Sequence, residues 1–169
     1  MTDRPVMFSA PMVRALLGGQ KTQTRRLTSS PLARAMPGDR LWVREAFLWT
    51  IPGIGARYRA DEDRPEWRGL WKPSIHMPRR ISRITLTVSA VRLTHLQDIT
   101  EEDAAAEGTR EPSLRDLGGE LRQAAWTERQ VFARLWSHLH GADAWDSNPL
   151  VVALTFCVTE QNIDRVPHG

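Results

Sequence analysis

Two segments in the second half of the chain alternate between apolar and polar residues, and together they restrict the architecture more than anything else in the sequence. Leu150, Val152, Leu154, Phe156 and Val158 fall on one face of a strand that opens after Pro149, where the missing proline N–H does no harm. The other segment, Arg83–Leu93, alternates as Ile84, Leu86, Val88 and Ala90, then changes phase to Val91 and Leu93. A phase change inside one strand signals a β-bulge or bend, as expected where a strand curves round a small barrel. Helices lie between the two. Thr100 caps a short one with Glu101, Glu102 and Asp103 in its first turn, and Gly108 ends it. Thr127 and Gln130 form a capping box, and Val131, Phe132, Leu135, Trp136 and Leu139 follow at helical spacing as far as Gly141.

The first half is built from shorter pieces. Residues 5–8 read as a strand. Ser9 before Pro11 starts a helix with a Val13, Leu16, Leu17 stripe, and Gly18-Gly19 stops it. Residues 20–27 form a turn or short strand, and 28–40 a loop ending in the turn Pro37-Gly38-Asp39. Residues 40–49 read as a strand with Leu41, Val43 and one of Ala46 or Phe47 inward. Residues 50–80 are rich in Pro, Gly, Trp and Arg and lack a period; they are too long for a plain loop. They are either an insertion or irregular structure with a short strand around Tyr58–Ala60. Residues 109–126 read as a loop with a helical stretch from Ser113. No βαβ unit repeats, so the expected class is α+β: a small curved sheet or barrel of about five to six strands with flanking helices. One domain spans 1–169, with insertions at 50–72 and 109–126.

Composition narrows the setting. The chain has no apolar run near the ~20 residues that span a bilayer, and no membrane partner is expected. Its N-terminus lacks a charged-then-apolar signal layout. The lone Cys157 excludes an internal disulfide and a multi-Cys zinc site. A cytoplasmic, reducing location follows as the expectation, with a monomer as the default state. His138, His140 and Cys157 do not have zinc-ligand spacing, so neither a metal nor another cofactor is expected.

The charge is uneven. Residues 1–95 carry 17 basic and 7 acidic side chains, whereas 96–169 carry 6 and 13. A basic half suits a polyanion partner; two halves of opposite sign attracting each other within one fold explain it equally well. Of the 23 basic residues only Lys21 and Lys72 are lysine. Where arginine is so favoured, a retained lysine such as Lys21 is either an ordinary turn residue or a place where an amine able to lose its proton has a use.

Lys21 lies in the run LLGGQKTQTRRL. With PGDRLWVRE, LQDITEEDAAAEG and WDSNPLVVALTF, this run resembles the ASCH domain family of the PUA-like β-barrel superfamily. The WVRE, PSIHMPR and W-D-x-N-P segments resemble its phage- and prophage-associated branch. The likeness covers most of the chain and is weakest at 50–70 and 109–126. It rests chiefly on Gly19, Lys21, Thr22, Thr24 and Arg26, spaced G-x-K-T-x-T-x-R. It implies a PUA-like barrel. It also implies a ligand that is a modified cytosine nucleoside or RNA, with a phage-modified DNA base as a further option.

Small ASCH enzymes hydrolyse N4-acetylcytidine with a Lys, a Thr three residues on and a Glu after the central strands. By motif these are Lys21, Thr24 and Glu107, the last through the ITEEDAAAEG segment. The resemblance thus implies an amidohydrolase; other members of the family bind RNA without catalysis or act as ribonucleases. Amide hydrolysis needs a nucleophile, a proton carrier and an oxyanion donor. Two divisions of labour fit. In one, Thr24 attacks, with a neutral Lys21 as base. In the other, Glu107 activates water, with a cationic Lys21 at the oxyanion.

Substrate-binding candidates surround this set. Arg26 suits an acyl oxygen or a phosphate. Arg44 and Glu45, beside Trp42, form either a strand-surface ion pair or part of a ligand site, and Glu45 is an alternative partner for Lys21. His76 and Arg79, just before the central strand, either read a phosphate or base or pack a proline-rich loop. Trp42, Trp49, Trp67 and Trp71 interleave with Arg57, Arg59, Arg64 and Arg68, a pattern shared by single-strand binding surfaces and by ordinary packed tryptophans under arginine stems.

Overall fold

A computed structural model describes residues 1–62, 65–67, 69–117 and 126–167. The order of elements is β1 (Asp3–Met7), α1 (Ala10–Leu17), β2 (Gln23–Leu27), β3 (Arg40–Arg44), β4 (Phe47–Ile51), β5 (Gly55–Tyr58), β6 (Thr85–His95), α2 (Glu101–Ala106), α3 (Glu128–His140) and β7 (Leu150–Thr159), joined by short 3-10 turns. Five strands form one sheet in the order β1-β3-β6-β7-β2; β4 and β5 form a separate hairpin. The fold is α+β. β1 runs parallel to β3, and the other neighbours in the main sheet are antiparallel. Among the described residues this order is open: β1 and β2 end it and share no backbone ladder, so the closed barrel is not seen.

The two alternating segments pair with each other as β6 and β7. Their register shifts between Val88 and Ala90, which leaves Ser89 as an extra residue where the phase change predicts a bulge. One face of the sheet buries Val6, Leu41, Val43, Leu86, Val88, Leu154 and Phe156 with Val13 and Leu16 of α1. Each such side chain, fully buried, contributes roughly 1.5–3 kcal/mol. β7 is buried on both faces, because Val151 packs with Leu96, Ile99, Ala104, Phe132 and Trp136 beneath α2 and α3. Two of the three predicted helix caps form their side-chain bonds: the Thr100 hydroxyl accepts from Asp103 N at 3.1 Å, and Thr127 and Gln130 make the reciprocal box, whereas Ser9 stands at the start of α1 without a side-chain cap bond.

Several expectations change. Residues 40–49 do not make one strand; β3 leaves the main sheet after Arg44, and Phe47 starts the hairpin, packing on Met77 and Ile81 in a small core of its own. Between the two strands Glu45 occupies an inward position at 1% exposure. Part of the 50–72 segment is therefore ordered strand, with β5 ending at Tyr58. Leu93 and Leu139 are 66% and 62% exposed rather than inward. Leu93 lies on the part of β6 that runs past its pairing with β3, and in the last turn of α3 it is His140 that stacks on Trp136, at 4.1 Å. In the 109–126 segment a 3-10 turn at Pro112–Leu117 stands where the helical stretch was expected, and residues 118–125 lie outside the described residues. No helix among the described residues is long and apolar enough to cross a membrane.

Candidate active site

Two helix ends and two strands converge where α1 stops. Gly18 caps α1 and Gly19, at φ +69°, turns the chain back, so Gln20 N and Lys21 N both donate to Ala15 O, at 2.8 and 2.9 Å. Thr22 N then donates to Ala106 O at 2.8 Å, and Phe156 N to Thr22 O at 3.0 Å. Lys21 and Glu107 consequently form a backbone bridge across 86 positions of sequence. Gly108 permits this approach. It has φ +89°, and a Cβ added there would lie 2.9 Å from Ala15 Cβ and 3.3 Å from Lys21 Cβ.

The side chains meet as well. Lys21 is 2% exposed and Glu107 4%. Lys21 Nζ donates to Glu107 Oε2 at 3.0 Å, to Glu107 O at 2.8 Å and to Gln23 O at 2.8 Å. Glu107 is the C-cap of α2, so its carbonyl carries the partial negative charge of a helix end. The other carboxylate oxygen, Oε1, accepts from Arg25 NH1 at 3.0 Å, and Arg25 NH2 pairs with Asp103 Oδ2 at 2.8 Å. Asp103 also takes Arg92 at 2.6 Å. One carboxylate thus serves two buried cations. Burial drives the Lys21 amine below its ordinary pKa of 10.5; Glu107 opposes that, and Arg26 and Arg25 add to it.

On β2, residues 24 and 26 share one face and 23 and 25 the other. Thr24 is fully buried, and its Oγ1 accepts from Arg26 NH1 at 2.8 Å. Arg26 NH2 reaches Met7 O at 3.2 Å, spanning the two end strands of the sheet with a side chain. The Phe8 ring, at the end of β1, faces Lys21 Nζ at 5.2 Å and the Arg26 guanidinium at 5.3 Å, so the two cations share one aromatic face. The structure therefore gathers Lys21, Glu107, Thr24 and Arg26, but no Lys21–Thr24 hydrogen bond is present among the described residues.

The other candidates lie elsewhere. Glu45 is not the partner of Lys21: both its oxygens bind Arg83, at 2.8 and 3.0 Å, and Arg83 continues to Asp61 at 2.7 Å and stacks on Tyr58. Burial raises the Glu45 carboxyl, although Arg83 pulls it down. Arg79 clamps Asp3 and Asp164, both at 2.6 Å. His76 ends an exposed 3-10 turn. Arg44 lies over the Trp42 ring at 5.3 Å, its Nε donating to Met77 O at 3.2 Å and its NH2 to Ile75 O. Among the interleaved aromatics, Arg57 covers Trp67 and Arg80 covers Trp49, whereas Arg64 and Arg68 lie outside the described residues.

Three members of the cluster were not among the site residues expected from sequence. Arg25 holds the Glu107 carboxylate from behind, and Asp103 holds Arg25. The spacing of Asp103 and Glu107, one helical turn apart, is the signal that was there to find. Phe8 had none, being an apolar residue at the end of a short strand.

No known protein-family model matches the chain, and no curated protein is similar to it. Among solved structures the chain is similar to the crystal structure of hypothetical protein PH0355, at 10% identity and a TM-score of 0.47, over 94% of this chain and 100% of that one. That likeness is too slight to carry an argument.

Proposed function

We propose that the protein removes the acyl group from N4-acylated cytosine nucleosides, with Lys21, Glu107 and Thr24 as the acting residues. The observation that carries this reading is the buried 3.0 Å contact between Lys21 Nζ and Glu107 Oε2, with the buried Thr24 hydroxyl held by Arg26, which shares the Phe8 ring with Lys21. The PUA-like barrel belongs to the same proposal: β1 and β2 are the strands whose pairing closes it, and Arg26 already spans them.

The hydrogen bonds favour one division of labour. Lys21 Nζ donates to three oxygens, the bonding of an ammonium rather than of a free amine. Thr24 has no base in hydrogen-bond contact, and its oxygen is occupied by Arg26. Glu107 therefore takes a proton from water as the water oxygen attacks the acyl carbon. Lys21 exchanges a carbonyl acceptor for the acyl oxygen as that oxygen becomes negative. Glu107 then returns its proton to N4 as the C–N bond breaks, giving the carboxylic acid and the free cytosine amine. Thr24 keeps its own proton to donate to the acyl oxygen, with Arg26 fixing its orientation.

The test is incubation with N4-acetylcytidine, following loss of the acylated chromophore, for the wild type, Lys21→Ala and Glu107→Gln. Turnover that both variants lose while keeping the fold supports the reading. Absence of turnover at micromolar enzyme overturns it, and salt-sensitive RNA binding by that same protein reassigns the basic half to nucleic-acid binding.

A further inference from the structure

We infer that the substrate carries a phosphate, seated by Arg26 and Arg44 in the cleft between β1 and the turn at residues 31–34. The inference rests on the deacylation reading for the identity of the base and extends it from a nucleoside to a nucleotide.

The argument begins with charge. The buried arginines Arg25 and Arg40 are matched by carboxylates, Glu107 with Asp103 and Asp3, and so is the half-buried Arg83, by Glu45 and Asp61. Arg26 and Arg44 are both half-buried and break the pattern. Among the described residues, Arg26 donates only to neutral oxygens, those of Thr24, Arg25 and Met7, with the Glu107 carboxylate acting on it from beyond hydrogen-bond contact. Arg44, among the same residues, donates only to the carbonyls of Ile75 and Met77. Carbonyls and a hydroxyl fix a guanidinium in place without cancelling its charge, and both groups keep spare N–H donors. Two cations that are positioned without a carboxylate in direct contact are what a bidentate anion site requires.

They also face one space. A cleft of about 460 Å³ is lined by both arginines with Met7, Val6, Pro31 and Leu32. Met7 brings them together: its carbonyl accepts from Arg26, and it pairs with Arg44 across the β1–β3 register. Other charges on the cleft are already spent. Arg4 stands 3.5 Å from Asp39, and Asp3 is held by Arg40 and Arg79. Arg26 links this cleft to the chemistry, because the guanidinium that reaches Met7 also holds the Thr24 hydroxyl. A base placed at Lys21 and Glu107 thus has its sugar-phosphate side directed toward an open, net-positive cleft.

Calorimetric binding of inorganic phosphate, cytidine, and cytidine 5′- and 3′-monophosphate separates the possibilities. It is run at low salt on the wild type, Arg44→Gln, Arg44→Lys and Lys21→Met. A monophosphate should bind at least about tenfold tighter than cytidine, the worth of one charge-assisted hydrogen bond. Arg44→Gln should erase that preference, Arg44→Lys should keep part of it, and Lys21→Met should leave it in place. Equal binding of cytidine and both monophosphates overturns the inference, and so does a preference that Arg44→Gln leaves intact in a folded protein. Inorganic phosphate binding that cytidine monophosphates do not improve on assigns the cleft to free phosphate and also overturns it. Turnover of N4-acetylcytidine tells this failure from the other: equal kcat/KM for the acetylated nucleoside and both its monophosphates removes the phosphate seat and leaves the reaction. An intact phosphate preference without any turnover does the reverse.

Discussion

Gly108→Ala probes the close approach that brings Glu107 to Lys21. The backbone at this position has φ +89°, and the new methyl would stand 2.9 Å from Ala15 Cβ and 3.3 Å from Lys21 Cβ. Left-handed backbone costs a residue with a side chain about 1–2 kcal/mol. Overpacking against Ala15, which is fully buried in α1, adds about 1–3 kcal/mol. The expected loss is the sum, about 2–5 kcal/mol, with the urea midpoint falling by about 1–2.5 M for a slope of about 2 kcal/mol per M. Equilibrium urea unfolding of four proteins checks both parts: wild type, Gly108→Ala, Ala15→Gly and the double variant. Ala15→Gly removes the nearest atom, so in the double variant the steric part disappears and the backbone part stays. The two changes should then fall short of additivity by about 1–3 kcal/mol. A Gly108→Ala loss below about 0.5 kcal/mol, or strict additivity, refutes the reasoning, because either result means that this glycine is not what lets α2 meet Lys21.

Thr24→Val should slow deacylation of N4-acetylcytidine without abolishing it, and intact-mass spectrometry of the wild type during turnover should show no acyl adduct; an acyl ester on Thr24 would transfer the attack from water to the hydroxyl. The Lys21 amine titrates lower in the fold than its ordinary 10.5, so the unfolded chain holds more protons below that pH. This group's contribution to stability therefore rises as pH climbs toward 10.5, and wild-type minus Lys21→Met unfolding free energies should slope upward with pH on the alkaline side. At the acid end, burial raises the Asp103 carboxyl but Arg92, Gln23 and Arg25 outweigh it, so its pKa lies below the ordinary 3.8. Its stabilisation is present above pH 3.8 and lost as pH falls through the lower folded value, and Asp103→Asn should flatten that part of the acid-denaturation curve. Glu45→Gln should cost about 3 kcal/mol or less, since Arg83 keeps Asp61 and is one-quarter exposed, while kcat per folded molecule stays unchanged; a fall in kcat would return Glu45 to the site.

The two long strands, the bulge and two helix caps were legible because each rests on local spacing that any observer of the sequence can count. The Lys21–Glu107 pair was legible only through the family resemblance, since nothing local joins residues 86 positions apart. The end of β3 was hidden for a physical reason. Leu41, Val43, Glu45 and Phe47 are all buried and alternate without a break, so the pattern reads as one continuous strand. Only the partner reaching in from Arg83 reveals that Glu45 sits inward and that the strand changes sheet. The exposed Leu93 and Leu139 show the opposite case: an apolar residue in phase with a core can still be left outside it.

Ser89 has an effect larger than its size. Side chains on a strand take turns between the two layers, so an inserted residue swaps the assignment of everything after it. Before Ser89, even-numbered Leu86 and Val88 feed the layer shared with α1; after it, odd-numbered Val91 does so, and Arg92 faces the helices instead. Were Ser89 paired in the ladder instead of bulged out of it, Arg92 would turn its charge into the hydrocarbon interior and Asp103 would lose its outer counter-ion, so the electrostatics behind Glu107 depend on a bulge one residue wide.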